Sequence, residues 1–264
     1  HLLSRRQRQM CIRDRDNTGS RENIFVILYD KVYTSQDWWH VFRFHQLTLH
    51  SLSQKTYGIL DACWNGFAAT ESFYGKYDPA DVRRTQWLEG PQYDKEGQPL
   101  LLNDGSQLDY TPHITSLFDS SNPARANEGV RSAKYEYADG LQGECMNNDY
   151  VVYRYADVLM MKGEALVRQG HADLAVPLFN EVRKRTGLPD YEAADLTLDE
   201  IYDERGREFA WEGLRRQDMI RFGKWCEPCD LKPAVSPEYT KLYPIPADIR
   251  KTNANLKQND GYPD

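Results

Sequence analysis

Apolar positions in the second half of the chain recur at helical spacing. Tyr155, Val158, Leu159, Gly163 and Leu166 fall at i, i+3, i+4, i+8 and i+11, one stripe of a helix beginning near Tyr150. Gln169-Gly170-His171 predicts its end, with Gly170 as the left-handed cap. A second helix is expected from Ala172 to Thr186, stopped by Gly187-Leu-Pro189. Gly163 and Ala175 stand twelve apart and Phe179 follows by four, the small-small-aromatic spacing of a tetratricopeptide helix hairpin. Thr197 followed by Glu200 reads as a capping box opening a third helix that runs to about Trp211. One hairpin buries only one face, because repeat units need stacked neighbours. Either partner repeats lie upstream, or the irregular first half covers the open face.

That first half is patterned differently. Asn23 to Asp30 is a β-branched and aromatic run, expected as a strand. From Lys31 to about Asn148 turn signals dominate, among them Asn65-Gly66, Glu89-Gly-Pro91 and Asn103-Asp-Gly105. Two short helical turns are expected there, Ser72 to Tyr77 and one from Asp78-Pro79 through Arg84. So long an irregular stretch is where binding loops sit on a scaffold. The fold class is therefore mainly α: a tetratricopeptide-like helical repeat scaffold with long irregular loops and a few short strands.

Composition narrows the chemistry. A net charge of −7 opposes nucleic-acid binding, which needs a basic surface. The 17 Tyr and 6 Trp supply flat side chains with polar handles, suited to stacking on ligands. Residues 1–15 differ from the rest, with five arginines against Asp14 alone and no apolar signal core. Both a basic arm and translated sequencing-adapter sequence, at Arg8-Gln-Met-Cys-Ile-Arg-Asp-Arg15, account for them. They are set aside as an artefactual segment, leaving residues 17–149 as a loop-rich binding part and 150–264 as helical scaffold and C-terminal strap. Among the five cysteines, Cys226 and Cys229 imitate a redox motif. They follow a helix and lead toward Pro233, the wrong setting for a lowered thiolate pKa. A local disulfide and two plain thiols both remain open. Cys63 and Cys145 are isolated, so no zinc site is expected.

Arg154-Tyr-Ala-Asp-Val-Leu159, Glu164-Ala165, Asn180, Val182, Arg183, Arg185, Gly187 and Leu188 form a set with the segment from Glu204 to Asp218. The set continues in Tyr243-Pro-Ile-Pro246 and in Asn253 to Tyr262. As a set they resemble the SusD/RagB family of outer-membrane glycan-binding lipoproteins, over about residues 20–264. Departures at Leu214, Arg216, Gln217, Ala254 and Asp260 fall at packing positions. The resemblance implies non-catalytic capture of oligosaccharide or polysaccharide at the cell surface, beside a SusC-like TonB-dependent transporter. It also implies an outer-membrane location through a lipid anchor that this chain does not show.

The residues themselves fit that reading. Glu204, Arg205, Glu208, Glu212, Arg215, Asp218 and Arg221 fall at i+3/i+4 spacing, so their charges are expected to pair across turns as scaffold. Interleaved arginines would keep the carboxylates ionised, against a glycosidase pair facing each other across a cleft. No catalytic residue, cofactor or metal is expected. For sugar stacking, Trp38-Trp39 is the first candidate, since adjacent residues of a strand point to opposite faces. Trp64 with Asn65 comes next, and Arg83, Arg84 and Trp87 behind it. Each Trp has hydrophobic core as its alternative. A helical-repeat adaptor binding protein or peptide partners is the competing function.

Overall fold

The computed structural model describes residues 17, 19–30, 33, 43–116, 126–135, 137, 146–253 and 255–263. Trp38, Trp39, Cys11, Cys145 and the first fifteen residues lie outside the described residues. The chain divides into two compact units, His1–Glu212 and Gly213–Asp264.

In the first unit, strand β1 (Asn23–Ile27) precedes two short helices, α1 (Phe44–Thr48) and α2 (Gln54–Tyr57). Helix α3 (Glu71–Tyr74) and a 3₁₀ turn (Val82–Gln86) follow, the turn opened by Asp81, whose carboxylate accepts from Arg83 N at 2.8 Å. Four two-residue strands come next: β2 (Trp87–Leu88), β3 (Gly90–Pro91), β4 (Asp109–Tyr110) and β5 (Arg131–Ser132). They pair antiparallel as β2–β5 and β3–β4. Strand β6 (Tyr150–Arg154) pairs antiparallel with β1 from far along the sequence, with Phe25 opposite Tyr153 and Val26 opposite Val151.

Strand β6 runs directly into helix α4 (Tyr155–Arg168), and α5 (Ala172–Arg183) folds back on it. The expected caps form: Gly170 takes φ +82° between the two helices. The close approach also forms, since a Cβ on Gly163 would come within 2.9 Å of Phe179 Cδ2. The buried face of α4 is not the expected stripe, however. Ala156, Asp157, Leu159, Met160, Gly163 and Glu164 are buried, whereas Tyr155 and Val158 are exposed. Hydrophobic periodicity misses this face because two of its members are carboxylates that are buried with partners, Asp157 with Arg205 at 2.8 Å and Glu164 with Arg168 at 2.8 Å.

Helix α6 (Leu198–Glu208) opens on Thr197, whose hydroxyl accepts from Glu200 N at 3.1 Å. The side chain of Glu200 accepts from Tyr191 Oη and pairs with Arg207, so it serves the tertiary structure. The helix stops at Glu208, three residues short of the expected end, and Trp211 turns to φ +64°. Lys134 explains the stop: its buried ammonium donates to the carbonyls of Glu208 and Ala210 at 3.1 and 2.6 Å. A cation there satisfies carbonyls that a terminating helix leaves unpaired. The aromatic core beside it comprises Tyr74, Tyr77, Trp87, Val130 and Ala210.

The second unit holds helix α7 (Arg215–Arg221) and helix α8 (Ala247–Thr252). The Arg216 guanidinium stacks on the rings of Trp225 (4.7 Å) and Tyr243 (4.0 Å) and donates to Lys241 O. The tail closes on itself through Gln258, which bonds both backbone groups of Ile245, and through Asn259, which donates to Tyr243 O. Cys226 and Cys229 are free thiols, and Cys229 sits in a two-way backbone bridge with Lys232 instead of opening a helix. Burial and Glu238 raise the Cys226 thiol pKa, opposite to what a redox nucleophile needs.

Candidate ligand-binding surface

The loop after α2 is built onto α1 by its backbone. Trp64 N donates to Gln46 O at 2.7 Å, Asn65 N to Leu49 O at 2.9 Å, and Gly66 N and Phe67 N both to Leu47 O at 2.9 Å. Asn65 takes φ +52°, the left-handed turn that Asn tolerates, which is why this turn reads Asn-Gly. Its Oδ1 accepts from Arg131 Nε at 2.9 Å. Arg131 is itself buried, donating to Glu128 O and Gly129 O and lying 4.8 Å over the Tyr110 ring. The loop is therefore rigid where it carries its side chains.

Trp64 stands out from this base, 43% exposed, with the Arg43 guanidinium 5.6 Å from its ring centroid. Phe67 is exposed on the same loop and meets Trp211 edge-on at 6.1 Å. Arg43 and Phe67 were not singled out from sequence. Phe67 lies one residue past the Asn-Gly turn, and that turn was the signal available for it. With Oδ1 committed to Arg131, the side-chain NH₂ is what Asn65 can offer a ligand.

The other expected residues go elsewhere. Arg84 donates to Tyr74 Oη at 2.8 Å and pairs with Glu89 at 3.4 Å, a half-exposed cluster of its own. Trp87 is corrected: it is 7% exposed and edge-on to Phe73 and Tyr77 at 6.0 and 6.2 Å. Its ring faces are spent in the core, so it leaves the candidate set.

The first unit also holds a buried charge network in which most pairs differ from the expected turn-to-turn pattern. Arg83 pairs with Asp81, Glu204 and Glu208 at 2.8–3.0 Å. Arg154 reaches Glu22, Glu208 and Glu212 at 2.7–2.8 Å, and Lys134 pairs with Glu212. Most partners come from other elements, because α6 presents these carboxylates inward rather than along its surface. The turn-to-turn pattern is kept by Glu204 with Arg207 at 2.7 Å in α6 and by Asp218 with Arg221 at 2.7 Å in α7, both i,i+3 pairs. Burial alone would raise the carboxyl pKa values, but Arg83 and Arg207 hold Glu204 down at about 2. Glu208 is held well below the usual range by Arg185, Arg154 and Arg83, again against burial. Burial pulls Lys134 down to about 8, with Glu212 opposing. Glu204, Glu208 and Glu212 are ionised and enclosed by cations, so none of the three is placed to give up a proton at neutral pH.

The SusD family pattern matches residues 9–230 of the 264. The chain belongs to the SusD family. It is 34% identical over 125 residues to the starch-binding protein SusD of Bacteroides thetaiotaomicron, an overlap of 44% of this chain and 22% of that protein. It is 26% identical over 219 residues to the SusD-like protein P2 of Formosa agariphila, 75% of this chain and 41% of that one. Among solved structures, the surface glycan-binding protein A of Bacteroides thetaiotaomicron, also solved with laminarihexaose, superposes with a TM-score of 0.63 at 24% identity. That match covers 92% of this chain and 53% of the other. A SusD superfamily protein of Bacteroides vulgatus gives 0.64 at 20% identity, covering 98% and 50%. The chain thus has the SusD fold and spans about half the length of these solved relatives.

Proposed function

We propose that this SusD family chain takes part in non-catalytic capture of an oligosaccharide or polysaccharide at the outer-membrane surface and its delivery to a TonB-dependent transporter. The observation that carries the reading is Trp64, an exposed indole on a loop whose backbone is tied down at four points. A pyranose ring stacks its apolar face on such an indole, and donors at the rim take its hydroxyls. Arg43 and the Asn65 amide supply those donors. The starch-binding name of one relative and the laminarihexaose complex of another support a glucan as first ligand class. The buried, ionised carboxylates of α6 support a binding role without hydrolysis. In this reading residues 17–149 carry the ligand, with Trp38 and Trp39 as a further stacking pair. Residues 150–264 form the frame, and the α4–α5 hairpin is one tetratricopeptide-like unit of it.

Calorimetric titration of the 264-residue chain with maltohexaose and laminarihexaose tests this. Binding of either is expected, with Trp64→Ala weakening it at least tenfold while the melting temperature stays put. Unchanged affinity with a lower melting temperature would make Trp64 structural. Release of new reducing ends from either sugar would overturn the non-catalytic role.

A further inference from the structure

Among the buried arginines, Arg83, Arg154, Arg205 and Arg207 each meet a carboxylate. Arg131, 2% exposed, meets none among the described residues. It donates to four uncharged oxygens: Asn65 Oδ1 at 2.9 Å, Glu128 O at 2.7 Å, Gly129 O at 2.5 Å and Ala126 O at 3.4 Å. Burial lowers its pKa, with Tyr110 opposing. Against the same pull of burial, Glu204 raises the pKa of Arg83 and Glu212 that of Arg154. The Arg131 charge also reaches His50, whose pKa falls through burial first and Arg131 second. A buried cation held by neutral dipoles alone is held less strongly than one that meets a carboxylate.

Aspartate at position 65 would supply that carboxylate. It would accept from Arg131 where the amide oxygen does now, and Asp, like Asn, tolerates the left-handed turn at φ +52°. The residue is Asn, and what Asn has and Asp lacks is Nδ2. A guanidinium offers only donors, so the atom that faces Arg131 is the oxygen and the amide cannot flip. Nδ2 donates to nothing among the described residues and is not sealed from solvent. The turn that holds Arg131 packs on the same loop, since a Cβ on Gly129 would come within 2.5 Å of Ala68 Cβ.

We propose that Arg131 is a positioning residue for glycan capture, an assignment that rests on Trp64 being the stacking residue: it holds the Asn65 amide so that Nδ2 donates to a ring or bridging oxygen of the stacked sugar. A hydroxyl both accepts and donates, so it would be met as well by Asp as by Asn. A ring or bridging oxygen only accepts, and it needs the amide. Arg131 itself is too buried to touch the sugar and acts through Asn65. An amide already fixed loses less freedom on binding than one left to rotate, a difference of ~2- to 10-fold in affinity.

Calorimetric titration of the 264-residue chain with maltohexaose and laminarihexaose, beside urea unfolding of each variant, tests this. Asn65→Ala is expected to weaken binding about threefold or more. Arg131→Lys keeps the charge but loses the Nε bond, and should weaken binding about twofold or more. The double variant should bind no more weakly than Asn65→Ala alone, because the one residue acts through the other. Asn65→Asp should raise the urea midpoint, as the buried cation gains a carboxylate, and yet weaken binding about threefold. A role confined to the fold would not move stability and affinity in opposite directions. Arg131→Lys binding like the unsubstituted chain would overturn the proposal, as would losses that multiply in the double variant. So would an Asn65→Asp chain with a lowered midpoint or undiminished affinity, and that variant decides alone if Arg131→Lys does not fold. Trp64→Ala tells the two ideas apart. If it too binds unchanged, the stacking site fails and the positioning role with it; if it alone weakens binding, only the positioning role falls.

Discussion

Replacing Glu208 by Gln keeps the shape of a buried side chain and removes its charge. In the structure its carboxylate accepts from Arg83 at 3.0 Å, Arg154 at 2.8 Å and Arg185 at 2.7 Å. The most deeply buried part of the network balances Arg83, Arg154, Arg207 and Lys134 against Asp81, Glu204, Glu208 and Glu212. Glu208→Gln leaves one positive charge there without compensation and turns an amide NH₂ toward a guanidinium. Breaking a buried pair from one side costs about 3–5 kcal/mol, against a total stability of about 5–15 kcal/mol for a typical domain. Glu181→Gln is the control, because its pair with Lys184 at 2.8 Å is exposed and such pairs are worth about 0–1 kcal/mol. Urea unfolding followed by far-UV circular dichroism, extrapolated to water, measures both. Glu208→Gln should move the midpoint far down and Glu181→Gln hardly at all. Arg185 also donates to Glu208, so adding Arg185→Gln to the first variant removes a cation left without that partner and should recover part of the loss, a coupling that a double-mutant cycle isolates. If Glu208→Gln costs under about 1 kcal/mol, or no more than the control, the network does not hold the frame together.

Acid should act through the same residues. Glu204 has its pKa depressed to about 2 from an ordinary 4.5, so its contribution is complete above pH ~4.5 and is lost as pH falls toward 2. That contribution is about 3 kcal/mol, and Glu204→Gln should flatten this limb of a stability–pH curve. A curve already flat from pH 5 to 2.5 in the unsubstituted chain would refute it. Gly163→Ala gains about 1 kcal/mol in helix propensity but drives a methyl into the Phe179 ring, at an overpacking cost of about 1–3 kcal/mol. A lowered melting temperature is expected, and a raised one would show that the hairpin has room to spare.

Elements that depend on local chemistry were legible in the order of residues. Asn23–Ile27 forms its strand, Gly170 caps α4, Thr197 opens α6, and Gly163 meets Phe179, because each needs only a propensity, a cap or a fixed spacing. The family was legible too, since its residues recur as a set. Tertiary structure alone decided which sides those elements bury. Arg83 lies more than 120 positions from Glu204 and Glu208, and Lys134 more than 70 from the carbonyls it satisfies. No periodicity along the chain encodes such pairings, so the charged side of α6 turned inward and the apolar side of α4 turned out. The candidate surface divided the same way. Trp64 and Trp87 are the same residue type beside comparable turn signals, yet the backbone bonds to α1 hold one out while Phe73 and Tyr77 enclose the other. Burial is a property of what surrounds a residue in space, and for these side chains the surroundings come from distant sequence.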